Sequence, residues 1–238
     1  MAKKLRLGDM EVDVTLKQIK NIHLSVHPPT GRVRISAPSH MKLETIRLYT
    51  ISKLSWIKRQ QKKLQAQERE TPREYIERES HYLWGKRYLL KICENGGPHR
   101  VELTHNHFVL HVRPGIDEDR RRLIVEEWYR SQIKQAVPPL IDKWEPILGV
   151  KVARFFVQRM KTRWGSCNHL RGNIRLNTEL AKKPPECLEY LVVHEMVHLL
   201  EPAHNTRFVA LMDQFMPKWR FYRDQLNRFP VSHEKWAY

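Results

Sequence analysis

The sequence predicts an α+β protein with an N-terminal β-rich lobe, residues 1–115, and a C-terminal catalytic lobe, residues 116–238. Three observations lead there. Apolar and polar residues alternate through most of the first lobe, apolar residues recur at helical spacing after Asp117, and an H-E-x-x-H segment, His194 to His198, lies in a strongly apolar helical stretch.

Val12, Val14 and Leu16, then Ile22, Leu24 and Val26, then Val33 and Ile35 alternate between Glu11 and Pro38, with Pro28-Pro29-Thr30-Gly31 as a turn. This is the pattern of an antiparallel meander or hairpin. From Leu43 to about Arg69, Ile46, Leu48, Ile51, Leu54, Ile57 and Leu64 recur at helical spacing. Lys53, Lys58, Arg59, Lys62 and Lys63 lie between them, which predicts a basic amphipathic helix. Tyr82 to Ile92 and Val101 to Val112 read as strands separated by the turn-forming Asn95-Gly96-Gly97-Pro98.

Asp117 to about Leu148 carries a helical pattern through Leu123, Trp128, Ile133, Val137, Ile141 and Trp144. Pro138-Pro139 interrupts it, so a kink or two helices are expected. Val152 to Val157 and Gly172 to Asn177 read as short strands. Pro184-Pro185-Glu186 then opens a helix to about Leu200, and a further helical pattern runs from Asn205 to Phe215.

A chain of 238 residues can bury a substantial core without staples. Cys93, Cys167 and Cys187 are odd in number and scattered, which fits a reducing, cytoplasmic compartment better than secretion. Gly8, Asp9, Glu11 and Asp13 break up any apolar run of the kind a signal peptide needs, and no stretch approaches a membrane span, so a soluble protein is expected. The net charge of +17 favours polyanions such as nucleic acid as partners, though solubility alone also accounts for a basic surface.

The chemistry resides in His194-Glu195-Met196-Val197-His198. Histidines four apart on a helix share one face and can hold a single zinc ion, while Glu195 is placed to act as general base. Leu188, Leu191, Val192, Val193, Met196, Val197, Leu199 and Leu200 surround them, which implies burial, and buried imidazoles and carboxylates require compensation such as a metal provides. His204 would face away from His198 on a continued helix; Pro202 stops the helix and lets the chain return His204 as third ligand, with Glu201 an alternative. The metal set is thus His194, His198 and His204, the metal Zn2+, and the catalytic residue Glu195.

Tyr190, Arg163 and Asn177 are candidates to stabilise an oxyanion, each also at home as a packing residue. Met212 and Met216 read as core filler, and Cys167 as a small packed residue. The rival reading is a basic nucleic-acid-binding protein whose zinc site is structural or vestigial. The Lys53–Lys63 face with Trp56, and Arg120-Arg121-Arg122, would then meet phosphates and bases. Three histidines and a suitably placed glutamate resemble a catalytic site more than a closed four-ligand structural one.

Arg163-Trp164-Gly165-Ser166-Cys167, Gly172-Asn173-Ile174, Leu176-Asn177, Pro184-Pro185, Tyr190, Val193 to Leu199 and His204 together resemble the YgjP-like metallopeptidase family, which is related to the SprT and WLM peptidases. Val33-Arg34-Ile35-Ser36-Ala37-Pro38 is similar to that family's start, so the resemblance spans most of the chain. It implies a zincin-like fold with the active-site helix under a small sheet and zinc on His194, His198 and His204. It further implies a protein or peptide substrate, a strand near Gly172–Asn177 offering its edge to an extended peptide, and, from the relatives, action on DNA-associated proteins. The spacing is also similar to that of metzincins, with Glu201-Pro202 where they have glycine.

Overall fold

The computed structural model describes residues 2–27, 31–66, 73–160 and 163–228, and the chain forms two compact units, Met1–Glu68 and Arg69–Tyr238. Among the described residues the architecture is α+β, with eleven strands in three sheets and six α-helices. No described helix is long and apolar enough to cross a membrane.

In the first unit, β1 (Ala2–Leu7), β2 (Met10–Lys17), β3 (His23–His27) and β4 (Arg32–Pro38) form a sheet in the order β1-β2-β4-β3. Hairpins join β1 to β2 and β3 to β4, but β2 and β4 run parallel, so this is not the simple meander that alternation suggested. Periodicity reports which face is buried, not which neighbour a strand chooses. Parallel register sets Val12 beside Val33 and Val14 beside Ile35, and these bury with Ala37, Ile46 and Ile57. Pro28, Pro29 and Thr30 of the expected turn lie outside the described residues; Gly31, at φ +76°, donates its N–H to His27 O at 3.0 Å.

The single basic helix expected here is two helices, α1 (Leu43–Ser52) and α2 (Leu54–Ala66), separated at Lys53, whose φ and ψ of −102° and 4° leave the helix. The side chains of Lys63 and Leu64 and the expected stretch from Gln67 to Arg69 fall outside the described residues.

The second unit repeats the sheet topology of the first. β5 (Ser80–Leu83), β6 (Lys86–Glu94), β7 (Arg100–Leu103) and β8 (His107–Val112) adopt the order β5-β6-β8-β7, with parallel pairing only between β6 and β8. Four short strands thus stand where two long ones were expected. One break is the turn Trp84-Gly85, with φ of 50° and 80°. A tryptophan in left-handed backbone is strained, and here its N–H is committed to Ala181 O at 2.8 Å.

α3 (Glu118–Leu148) is one continuous helix despite Pro138 and Pro139, started by Asp117, whose side chain accepts from Arg120 N–H, and ended by Gly149 at φ 66°. Val125, Tyr129, Ile133, Val137, Ile141, Trp144 and Leu148 form one buried stripe across the prolines. Burial of these seven side chains, worth ~1.5–3 kcal/mol each, together exceeds the ~3 kcal/mol or more that each interior proline costs. This stripe shares a core with Leu90, Phe108, Leu110 and Val112 of the preceding sheet. The compact division therefore falls at 68/69, and the expected boundary at 115/116 lies inside the second unit.

The remaining sheet has the order β10-β11-β9: β9 (Arg154–Gln158) pairs parallel, and β10 (Gly165–Asn168) antiparallel, with the central β11 (Asn173–Asn177). β11 is paired on both sides and has no edge to offer a peptide, contrary to expectation; the sheet edge nearest the HExxH segment in sequence is β10. A short 3-10 helix, Thr178–Lys182, leads to α4 (Pro185–Val197), followed by α5 (Thr206–Phe215) and α6 (Trp219–Arg228).

Candidate metal centre

α4 begins with Pro185 at its first turn, where a missing N–H costs no hydrogen bond, and it is buried on nearly every side by Leu188, Leu191, Val192, Val193, Met196 and Val197. His194 and Glu195 lie in its last turn and His198 caps it. The chain then tightens: Leu199 N–H bonds to Met196 O and Leu200 N–H to Val197 O. Pro202 follows, and Asn205 restarts helix as the cap of α5 by accepting from Phe208 N–H at 3.0 Å. This reversal returns His204 to the other two histidines.

The Nε2 atoms converge: His204 Nε2 lies 3.1 Å from His198 Nε2 and 3.1 Å from His194 Nε2. Phe208 packs on all three rings at centroid distances of 5.0, 4.6 and 4.7 Å for His194, His198 and His204. His198 is buried and His204 exposed, so the cluster sits at the surface end of α4.

The donor chemistry fits a cation. His198 Nδ1 is 3.0 Å from the Glu201 carbonyl oxygen, and in the neutral ring it donates there, leaving Nε2 as a lone pair. His204 Nε2 cannot be both donor and acceptor in a neutral ring, so it cannot make regular hydrogen bonds to both neighbours. A metal ion accepts all three lone pairs, and tetrahedral Zn–N bonds of ~2.0–2.1 Å separate ligand nitrogens by about 3.3 Å. Two of the rings are held toward the neutral form: burial, then the charges of His198 and His204, push His194 down to about 3, and burial likewise lowers His198. His194 Nδ1 is buried without a hydrogen-bond partner among the described residues.

Glu195 is 4% exposed, and burial pushes its carboxyl up to about 8 against the opposing charge of Arg163. A divalent cation beside it would act in the same direction as Arg163. Glu201, the alternative ligand, is not in the cluster: its carboxylate accepts from Ala203 N–H at 3.4 Å and lies 3.9 Å from Arg207. No other group of three metal-ligating side chains converges among the described residues.

Of the oxyanion candidates, Asn177 is fully engaged. Its Nδ2 donates to the carbonyls of Met160 and Arg163, both at 2.8 Å, and its Oδ1 accepts from Glu179 N–H and Met160 N–H. Tyr190 is buried 5.8 Å from the His194 ring, and Arg163 is exposed. Burial, with the charge of Glu195, pushes Cys167 up to about 11, so it carries no thiolate at neutral pH. Met212 and Met216 are buried core residues, as their spacing suggested.

Sequence reasoning missed two residues here. Phe208 looked like one more apolar position of α5; Gly165 appeared only within the family-like segment, yet a Cβ on it would meet Glu195.

No curated protein matches the chain. It is similar to the crystal structure of the metallopeptidase zymogen of Pyrococcus abyssi abylysin, with 20% identity and a TM-score of 0.36 over 40% of this chain and 99% of that one. The family described as YgjP-like, metallopeptidase domain, matches residues 20–229, and the chain belongs to that metallopeptidase family.

Proposed function

We propose that the chain is a zinc-dependent peptidase in which His194, His198 and His204 hold the metal and Glu195 is the general base. The convergence of the three imidazoles, with His194 Nε2 and His198 Nε2 each 3.1 Å from His204 Nε2, carries this reading, since ring nitrogens so placed are brought together by a shared metal ion. α4 beside β10 and β11 supports a zincin-like catalytic lobe, with a protein or peptide as substrate. Bound there, zinc would supply Lewis acidity, lowering the pKa of a water from 15.7 to ~7 and polarising the scissile carbonyl.

The protein side of the chemistry follows from the residues. Glu195 takes the proton of the attacking water and returns it to the leaving amine, a transfer typically worth ~10²–10⁴-fold in rate. The buried surroundings of Glu195 keep its proton affinity high enough for both halves of that task. The Glu201 carbonyl fixes the His198 ring with Nε2 toward His204 Nε2, where it would be a ligand to the metal. Free Cys93, Cys167 and Cys187 fit a cytoplasmic setting.

The deciding experiment is elemental analysis of wild type, His194→Ala and His204→Ala, with peptide hydrolysis by Glu195→Gln. We expect about one zinc per wild-type chain, loss of zinc in the histidine variants, and a zinc-loaded but inactive Glu195→Gln. Hydrolysis by Glu195→Gln at the wild-type rate rules out the general-base assignment.

A specific observation favours nucleic-acid contact as a second property, directing the peptidase to DNA-associated proteins. Residues 1–68 hold 14 Lys and Arg against 5 Asp and Glu, whereas the rest of the chain holds 29 against 21. Lys53, Lys58, Arg59 and Lys62 are exposed without an acidic partner among the described residues, and Trp56 lies among them, 36% exposed.

A further inference from the structure

Gly165 opens β10 beside Leu176 of β11, and a Cβ built on it would lie 2.4 Å from Glu195 Oε1, 2.9 Å from Cδ and 3.0 Å from Cγ. Its φ lies outside the left-handed region, so the backbone tolerates any residue; the space does not. Separations below 3.0 Å force a shift, and with Cγ itself at 3.0 Å that shift must begin at χ1 of Glu195 and so relocates the whole carboxylate, not only its tip. Leu191 and Met196, its neighbours on α4, are themselves buried, so the carboxylate has little room to retreat.

The strand is equally constrained from the other side. Asn177 N–H donates to Trp164 O at 2.8 Å, and its side chain ties the carbonyls of Arg163 and Met160. β10 is thereby anchored at the residue preceding Gly165, and it cannot drift away from α4 to admit a side chain.

We infer that Gly165 is a positioning residue for Glu195: its missing side chain is the space in which the carboxylate is held, and Asn177 fixes the strand that supplies this space. The inference rests on Glu195 being the general base, and it explains why a glycine stands in an edge strand where it weakens pairing.

The test is a double-mutant cycle on the metal-loaded full-length chain, comprising wild type, Gly165→Ala, Glu195→Ala and the double variant. Bound metal, thermal midpoint and hydrolysis of fluorescein-labelled casein are measured on each. Gly165→Ala should keep its metal and its KM but lose about 10²-fold in kcat, the scale of an ångström-level misplacement. It should lower the midpoint when made in the wild-type chain and leave it unchanged when made on top of Glu195→Ala, because a truncated side chain at that position lacks the atoms that the new Cβ meets. Wild-type kcat in Gly165→Ala, loss of its metal, or an equal drop in midpoint in both backgrounds would overturn the inference. If wild type itself hydrolyses nothing, the general-base reading fails, while the midpoints still decide whether Gly165 holds the Glu195 carboxylate.

Discussion

His198 Nδ1 stands 3.0 Å from the backbone carbonyl of Glu201, so the backbone of this residue after the helix, and not its side chain, orients the second imidazole. This separates two substitutions that are close in sequence. Glu201→Gln keeps the carbonyl and should change zinc affinity by less than about 10-fold. His204→Ala removes a proposed ligand and should weaken binding by more than the ~10–100-fold that loss of a supporting hydrogen bond costs. Competition with a chromophoric chelator reads both. Equal losses in the two variants would mean that the Glu201 carboxylate reaches the metal.

Asn177 spends all four of its side-chain hydrogen bonds on the chain around it, two given to Met160 O and Arg163 O and two received from Met160 and Glu179. Asn177→Asp keeps the shape but loses the donor, leaving two carbonyls facing a carboxylate in a buried place. Each unsatisfied buried group costs ~1–3 kcal/mol, so we expect about 2–6 kcal/mol in all, or a fall in Tm of roughly 4–24 °C for a chain of this size. An unchanged Tm would show that this loop reorganises freely.

Much of the candidate metal centre was legible because its signals are local. Four-residue spacing sets His194 and His198 on one face, and Pro202 marks the reversal that brings back His204. The fold was less legible where the deciding interaction is distant in sequence. Gly85 is the local turn signal beside Trp84, but the left-handed tryptophan is not part of any such signal: at φ 50° it is held by its bond to Ala181, almost a hundred residues away. Pairing of β2 with β4 and of β6 with β8 is likewise a tertiary choice that alternation does not encode. Pro138 and Pro139 failed to break α3 because the apolar stripe continues on both sides of them. Gly165 gives no local sign of its role, because the atoms it makes room for belong to Glu195.

Buried Glu179 and half-buried Lys182 pair at 2.7 Å within the 3-10 helix that precedes α4. Burial raises the Glu179 pKa, but Lys182, followed by Arg159 and Lys183, outweighs it and leaves the folded value below the ordinary 4.5. The folded state therefore binds this proton less readily than the unfolded chain does. The stabilisation is complete above about pH 4.5 and is lost as the pH falls through the folded value. Glu179→Gln leaves the Lys182 side chain, 9% exposed, without this partner, and should cost up to ~3–5 kcal/mol at pH 7. The gap between wild type and variant should narrow below about pH 4.5 in denaturant titrations. A gap that stays constant down to pH 2 would exclude Glu179 as a source of acid sensitivity.

The basic surface of the first unit makes a prediction about salt as well as about charge. Lys53, Lys58, Arg59 and Lys62 are exposed on and just before α2, and their formal charges are not balanced by acids among the described residues. Each cation that neutralises a phosphate releases a counterion, so log K falls against log[salt] with a slope of about −0.7 per contact on single strands and −0.9 on duplex. If all four engage, replacing them by glutamate in the full-length chain should lower the magnitude of that slope by about 3 to 4 and abolish binding near physiological salt. Trp56→Ala should instead weaken single-strand binding, by the ~1–3 kcal/mol typical of a stacked base, without altering the slope. Fluorescence anisotropy with a labelled oligonucleotide distinguishes the two. Equal slopes for wild type and the fourfold variant would assign this face to solvation alone, leaving the metal centre to find its substrate without help from a polyanion.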